Sequence, residues 1–193
     1  MLERHRPPPR TPLEAADGLS AVLGRFFGPH PVALRTHEGL HGWAGFDLPA
    51  RHGGAAWRAG EMAELFRLCG YRDAELRDVV GAGHARLLTL VSTRRFDPVL
   101  SDVAAARAYC AIAITEPEVG ADLRALATTA RPQGGGYVLD GVKQYISRLE
   151  ECTHLILFAR TARPAAEPSN TVFLVPRDTT GLKIERMRPA GLD

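Results

Sequence analysis

The sequence predicts an α+β chain: an all-α helical N-terminal domain followed by an antiparallel β-barrel-like domain. Three observations point there. Up to about Ala108 the apolar residues recur at helical spacing. From Ala111 onward the period shortens, and brief apolar runs alternate with turn residues such as Gly134-Gly135-Gly136 and Asp140-Gly141. Helices come first and strands second, without interleaving, which is the α+β order. The expected organisation is a flexible basic, Pro-rich arm over 1–10, a helical domain over 11–108 and a β domain over 109–193.

The length of 193 residues is enough for one or two domains with a real hydrophobic core. A net charge of +2 gives no reason to expect a nucleic-acid partner. Only Lys143 and Lys183 are lysines, the other basic residues being arginine; with the high Ala, Gly and Pro content, this reads as codon bias and not as a polyanion-binding surface. No segment approaches the apolar length needed to cross a bilayer, and the N-terminus has no signal-peptide apolar region. The three cysteines, Cys69, Cys110 and Cys152, are odd in number and lack metal-ligand spacing. Cys69 and Cys110 sit within apolar patterns as small core residues, and a reduced, cytoplasmic setting fits best.

The first helix begins after Thr11, a suitable N-cap, with Pro12 at the first helical position and Glu14 in the first turn. Leu13, Ala16, Leu19, Val22, Leu23, Phe26 and Phe27 form its apolar face, and Gly28-Pro29 ends it. His30, His37, His41 and His52 come next, but their spacing matches no metal-ligand template. A helix is expected from Trp57 to Leu68, with Met62, Leu65, Phe66 and Cys69 on one face. Another is expected from Asp73 to Leu90, interrupted by Gly81 and Gly83, and a third from Pro98 to about Ala108. His84, beside Gly83 on a mainly apolar face, reads as a hydrogen-bonded core histidine or as a residue near a ligand pocket.

The β half opens with the apolar run Ala111-Ile112-Ala113-Ile114, which Thr115-Glu116-Pro117 breaks. Proline removes a donor and pushes Glu116 toward extended backbone, and Gly120 and Asp122 turn the chain. A buried strand that surfaces into such a loop can present a hydroxyl and backbone N–H groups to a ligand. Further strands are expected over Leu126–Ala130, Tyr137–Leu139, Val142–Ser147, Leu155–Arg160, Thr171–Val175 and Leu182–Arg186, with a Pro- and Ala-rich loop over Ala162–Asn170.

Two stretches resemble signatures of the acyl-CoA dehydrogenase family. Ala111 to Asp122 is similar to its apolar strand followed by T-E-P-x-x-G-[SA]-D, and Tyr137 to Ser147 is similar to its Y-x-L-x-G-x-K-x-[WY]-[IV]-[ST]. Phe46-Asp47-Leu48-Pro49 with Gly53-Gly54 resembles a segment between that family's N-terminal helices. The resemblance implies FAD as cofactor: Ile114 and Thr115 lie along the flavin ring, Tyr145 packs against it, and the Ser147 hydroxyl bonds near N5. It also places Gly120 and Ala121 at the phosphates. Family members often carry serine at the position of Ala121, so alanine loses a contact worth about 1 kcal/mol.

The resemblance further implies α,β-dehydrogenation of an acyl thioester, on coenzyme A or an acyl-carrier protein, and an oligomer. It also implies that the central β domain is incomplete here, because Met187 to Asp193 resembles a loop inside that domain. The C-terminal helical bundle, which carries the carboxylate base, would then lie on a separate C-terminal half, leaving this chain inactive alone. Two alternatives stay open: a non-catalytic interaction subunit or truncated relic of the same fold, and a flavin monooxygenase or oxidase on that fold.

Overall fold

The computed structural model describes residues 11–15, 17, 43–72, 80–161 and 169–187. The predicted arm over 1–10, most of the first helix, His30, His37 and His41, residues 73–79, most of the Ala162–Asn170 loop and residues 188–193 lie outside the described residues. The chain divides into two compact units, Met1–Tyr109 and Cys110–Asp193.

In the first unit, Thr11 and Glu14 cap a helical turn reciprocally. Glu14 N donates to Thr11 Oγ1 at 3.2 Å, and Thr11 N donates to Glu14 Oε2 at 3.2 Å. This capping box satisfies two donors that a helix start leaves open. The next long helix is Ala59–Arg72, later at both ends than the spacing predicts. Arg58 N donates to Glu61 Oε2 at 2.7 Å, fixing its start. Met62, Leu65 and Cys69, spaced three and four apart, pack with Trp43, Phe46 and Val80 in one core, and Phe46 stacks on Trp57 at 4.6 Å. Phe66, expected on the same face, is exposed.

The expected Asp73–Leu90 helix does not run through as one element. Gly81 has φ +77° and Gly83 φ +53°, which take the backbone out of the right-handed helical region. Beyond this break the chain continues as a 3₁₀ helix, Gly83–Leu90. Asp47 braces the break: Ala82 N donates to its Oδ1 at 2.8 Å, and Arg86 Nη1 lies 3.6 Å from Oδ2. His84 is half-buried on that 3₁₀ helix. The last helix, Asp97–Ala104, has proline in its first turn and ends short of the expected Ala108. Arg107 N donates to Asp102 O at 2.8 Å and closes the turn.

Among its described residues the second unit contains five strands: β1 Cys110–Ala113, β2 Thr129–Gln133, β3 Gly136–Asp140, β4 His154–Thr161 and β5 Ser169–Pro176. They form one mixed, unclosed sheet in place of the expected antiparallel barrel. β2–β3 and β4–β5 are antiparallel, whereas β4 runs parallel to β1 (Cys110↔His154) and to β2 (Ala130↔Thr161). β4 is flanked on both sides, and its near-continuous apolar sequence, with Leu155, Ile156, Leu157 and Ala159 buried, suits that central place. The α+β order stands.

Three expected strands take other forms. Leu126 to Thr128 is irregular chain after a 3₁₀ turn, Leu123–Ala125, and β2 starts only at Thr129. Neither Val142–Ser147 nor Leu182–Arg186 is a strand. All three cysteines are buried thiols. Burial pushes the Cys110 thiol up to about 12, with Cys152 adding to it, so the thiol stays protonated and unreactive near neutral pH. No described helix is long and apolar enough to cross a membrane.

Candidate functional site

The two motif segments come together at the end of β1. Ile114 and Thr115 continue the chain past β1, and Glu116 pairs with Val119 across a tight turn: Glu116 N donates to Val119 O at 2.9 Å, and Val119 N to Glu116 O at 3.2 Å. Pro117 and Glu118 sit exposed at the tip. Asp122 then caps the short 3₁₀ turn by accepting from Arg124 N at 3.1 Å.

The second segment leaves β3 at Asp140 and lies against the first. Gln144 N donates to Thr115 O at 2.9 Å, and Gln144 Nε2 donates to Glu116 O at 3.2 Å. These bonds replace a strand ladder, which is why Val142–Ser147 reads as extended in sequence yet belongs to no sheet. Gly141 makes the approach feasible. Its φ is +154°, and a Cβ there would lie 2.5 Å from Thr128 Oγ1 and 2.7 Å from Thr128 Cα. Only glycine fits both the conformation and the space.

A buried ion pair joins the segments from beneath. Lys143 Nζ donates to Glu116 Oε1 at 2.8 Å and to the Ile114 carbonyl at 2.9 Å; the Lys143 and Glu116 side chains are 8% and 3% exposed. Glu116 also accepts from Ala127 N at 2.6 Å and Thr128 N at 2.9 Å. Burial pushes the Glu116 carboxyl up, but the hydrogen bonds from Lys143, Thr128 and Ala127 outweigh it and hold it down at about 2. The buried carboxylate is thus fully ionised and fully engaged.

The sequence-predicted site residues fall around this junction. Ile114 and Thr115 are half-buried, while Gly120, Ala121, Tyr145 and Ser147 are exposed. Tyr145 has φ +54° and is 62% exposed, so it is neither a cross-strand residue nor a core aromatic. A left-handed tyrosine costs on the order of 1–2 kcal/mol, and little packing compensates it. Arg148, three residues on, is also left-handed at φ +57°. Arg177 anchors the turn after it, donating to Leu149 O at 2.5 Å and Glu150 O at 2.6 Å.

Sequence reasoning missed Glu116 and Lys143 as partners. The available signal was one acidic and one basic residue embedded at fixed positions of the two motifs, in a chain where lysine is otherwise nearly replaced by arginine.

Residues 111–193 match the family model described as acyl-CoA dehydrogenase, middle domain. Over 171 residues the chain is 27% identical to glutaryl-CoA dehydrogenase of Desulfococcus multivorans, covering 84% of this chain and 43% of that one. Its fold is shared with a glutaryl-CoA dehydrogenase from Mycobacterium smegmatis solved in complex with FADH2, at TM-score 0.77 and 21% identity over 92% of this chain and 48% of the other. It is also shared with the ChsE4-ChsE5 complex from Mycobacterium tuberculosis, at TM-score 0.68 and 20% identity over 91% and 49%. The chain therefore spans about half the length of these relatives. With both signature segments brought together at β1 and the family model matching residues 111–193, the second unit carries the middle domain of the acyl-CoA dehydrogenase family, and the chain as a whole is similar to members of that family.

Proposed function

We propose that this chain supplies the flavin-facing part of an FAD-dependent dehydrogenase acting on an acyl thioester of coenzyme A or an acyl-carrier protein. The observation that carries the reading is Tyr145. An exposed aromatic held in a left-handed conformation, on a segment hydrogen-bonded to Thr115, is strain that packing within the described residues does not account for. The residues around it fit a planar, hydrogen-bonding cofactor: an aromatic face at Tyr145, hydroxyls at Thr115 and Ser147, and open space at Gly120, where a Cβ would meet nothing within 4 Å.

In this reading Ile114 and Thr115 line the ring, Tyr145 stacks on it, and Ser147 donates toward N5. The backbone N–H groups near Gly120 and Ala121 face the phosphates. FAD, when bound, supplies the acceptor for the hydride removed from the acyl chain. The chain's own residues hold and orient it and stabilise charge through fixed donors.

The base that removes the acyl α-proton is not Glu116, whose carboxylate is buried, ion-paired to Lys143 and held at about 2. We assign that role to polypeptide outside the described residues. Loss of a positioned base costs on the order of 10²–10⁴ in rate. The test is acyl-CoA oxidation with an artificial electron acceptor. Turnover is expected only when the chain is combined with a complementary C-terminal half; turnover by the chain alone contradicts the reading.

A further inference from the structure

We infer that Lys143 and Glu116 act as a positioning latch: by tying the two segments together from below, they set the conformation in which Tyr145 and Ser147 are presented. The inference rests on the flavin reading for its purpose, but its structural content stands without a cofactor.

The geometry argues for a latch and not a general prop. Among the described residues, Lys143 Nζ bonds to groups of the first motif segment, the Ile114 carbonyl and Glu116 Oε1, and to no strand of the sheet. Glu116, in turn, accepts from Ala127 N and Thr128 N, at the foot of β2. Thr128 is also the residue against which Gly141 packs, just before Lys143. One carboxylate thus collects the chain after β1, the chain before β2 and the chain after β3. The segment after β3 has no ladder of its own, so its position depends on these bonds and on the Gln144 N–Thr115 O bond. β4 and β5, by contrast, are held by a full antiparallel register from His154↔Pro176 to Thr161↔Ser169. Breaking the latch should free the second segment and leave that ladder intact.

Neither residue touches substrate in this scheme; each acts through Thr115, Tyr145 and Ser147. The experiment is residue-resolved amide exchange on the whole chain without cofactor, comparing wild type, Lys143→Met and Glu116→Gln. Both variants are expected to speed exchange of the Gln144 amide about tenfold or more beyond the acceleration at the β4 and β5 amides, which report the loss of global stability. The double variant should add little beyond the worse single one, as for two parts of one unit. Unchanged Gln144 exchange overturns the inference, and so does equal acceleration across β4 and β5. Should Lys143→Met fail to fold, Glu116→Gln, which keeps an acceptor oxygen, carries the test. A parallel FAD titration separates the two claims. A latch signature with no flavin binding by any variant, even with a C-terminal half added, sinks the flavin reading and leaves the latch standing.

Discussion

The Lys143 ammonium lies 2.8 Å from Glu116 Oε1, with both side chains more than nine-tenths buried, and the two residues come from motif segments 27 positions apart. Removing either partner strands a buried charge. Lys143→Met is therefore expected to cost about 3–5 kcal/mol of folding stability, measured by urea denaturation.

The same carboxylate sets a pH dependence. Its folded pKa, about 2, is below the ordinary value of 4.5. The stabilisation is thus fully present above about pH 4.5 and is lost as pH falls toward 2. The shift corresponds to roughly 3 kcal/mol. Denaturation midpoints of wild type should drop through that window more steeply than those of Glu116→Gln, and parallel pH profiles would contradict the assignment.

Two glycines of the motifs should behave in opposite ways. Gly141→Ala places a Cβ against the Thr128 backbone at a φ that side chains avoid. A loss of about 2–4 kcal/mol is expected. Gly120→Ala meets open space, and its stability should stay within about 0.5 kcal/mol of wild type. Thermal unfolding of the pair of variants checks both.

Tyr145 separates stability from function. Tyr145→Gly removes a left-handed residue whose ring is mostly exposed. The free chain should hold its stability or gain up to about 1 kcal/mol, while flavin affinity falls. A loss of stability comparable to that of a core aromatic would show that the ring packs within the chain.

Legibility in the sequence divides along the line between local and distant interactions. The Thr11–Glu14 cap, the buried 62/65/69 face, the Gly134-Gly135 hairpin turn and the apolar β4 all depend on neighbours in sequence, and each is readable from spacing. The parallel pairing of β4 with β1 and β2 depends on partners far along the chain, and turn signals alone favour hairpins. The Val142–Ser147 segment reads wrongly as a strand because extended backbone looks the same in sequence whether its donors enter a ladder or a single loop carbonyl. The site residue types are legible as motif positions, but the ion pair between them is not, since no periodicity links position 116 to position 143.

Asp47 offers a check on the first unit. Its side chain is 7% exposed and holds Ala82 N at the break between Gly81 and Gly83. Asp47→Ala leaves that half-buried donor unmet, and a cost of about 1–3 kcal/mol is expected. Urea denaturation of the variant against wild type reads it directly.

The central claim is that the junction of the two segments faces a flavin. The most direct measurement is the visible spectrum of the chain purified together with a complementary C-terminal half in the presence of FAD, beside the same preparation carrying Tyr145→Gly. A yellow complex with one flavin per chain, weakened by the substitution, is the expected result. A colourless complex, or one whose flavin content ignores Tyr145, would contradict it.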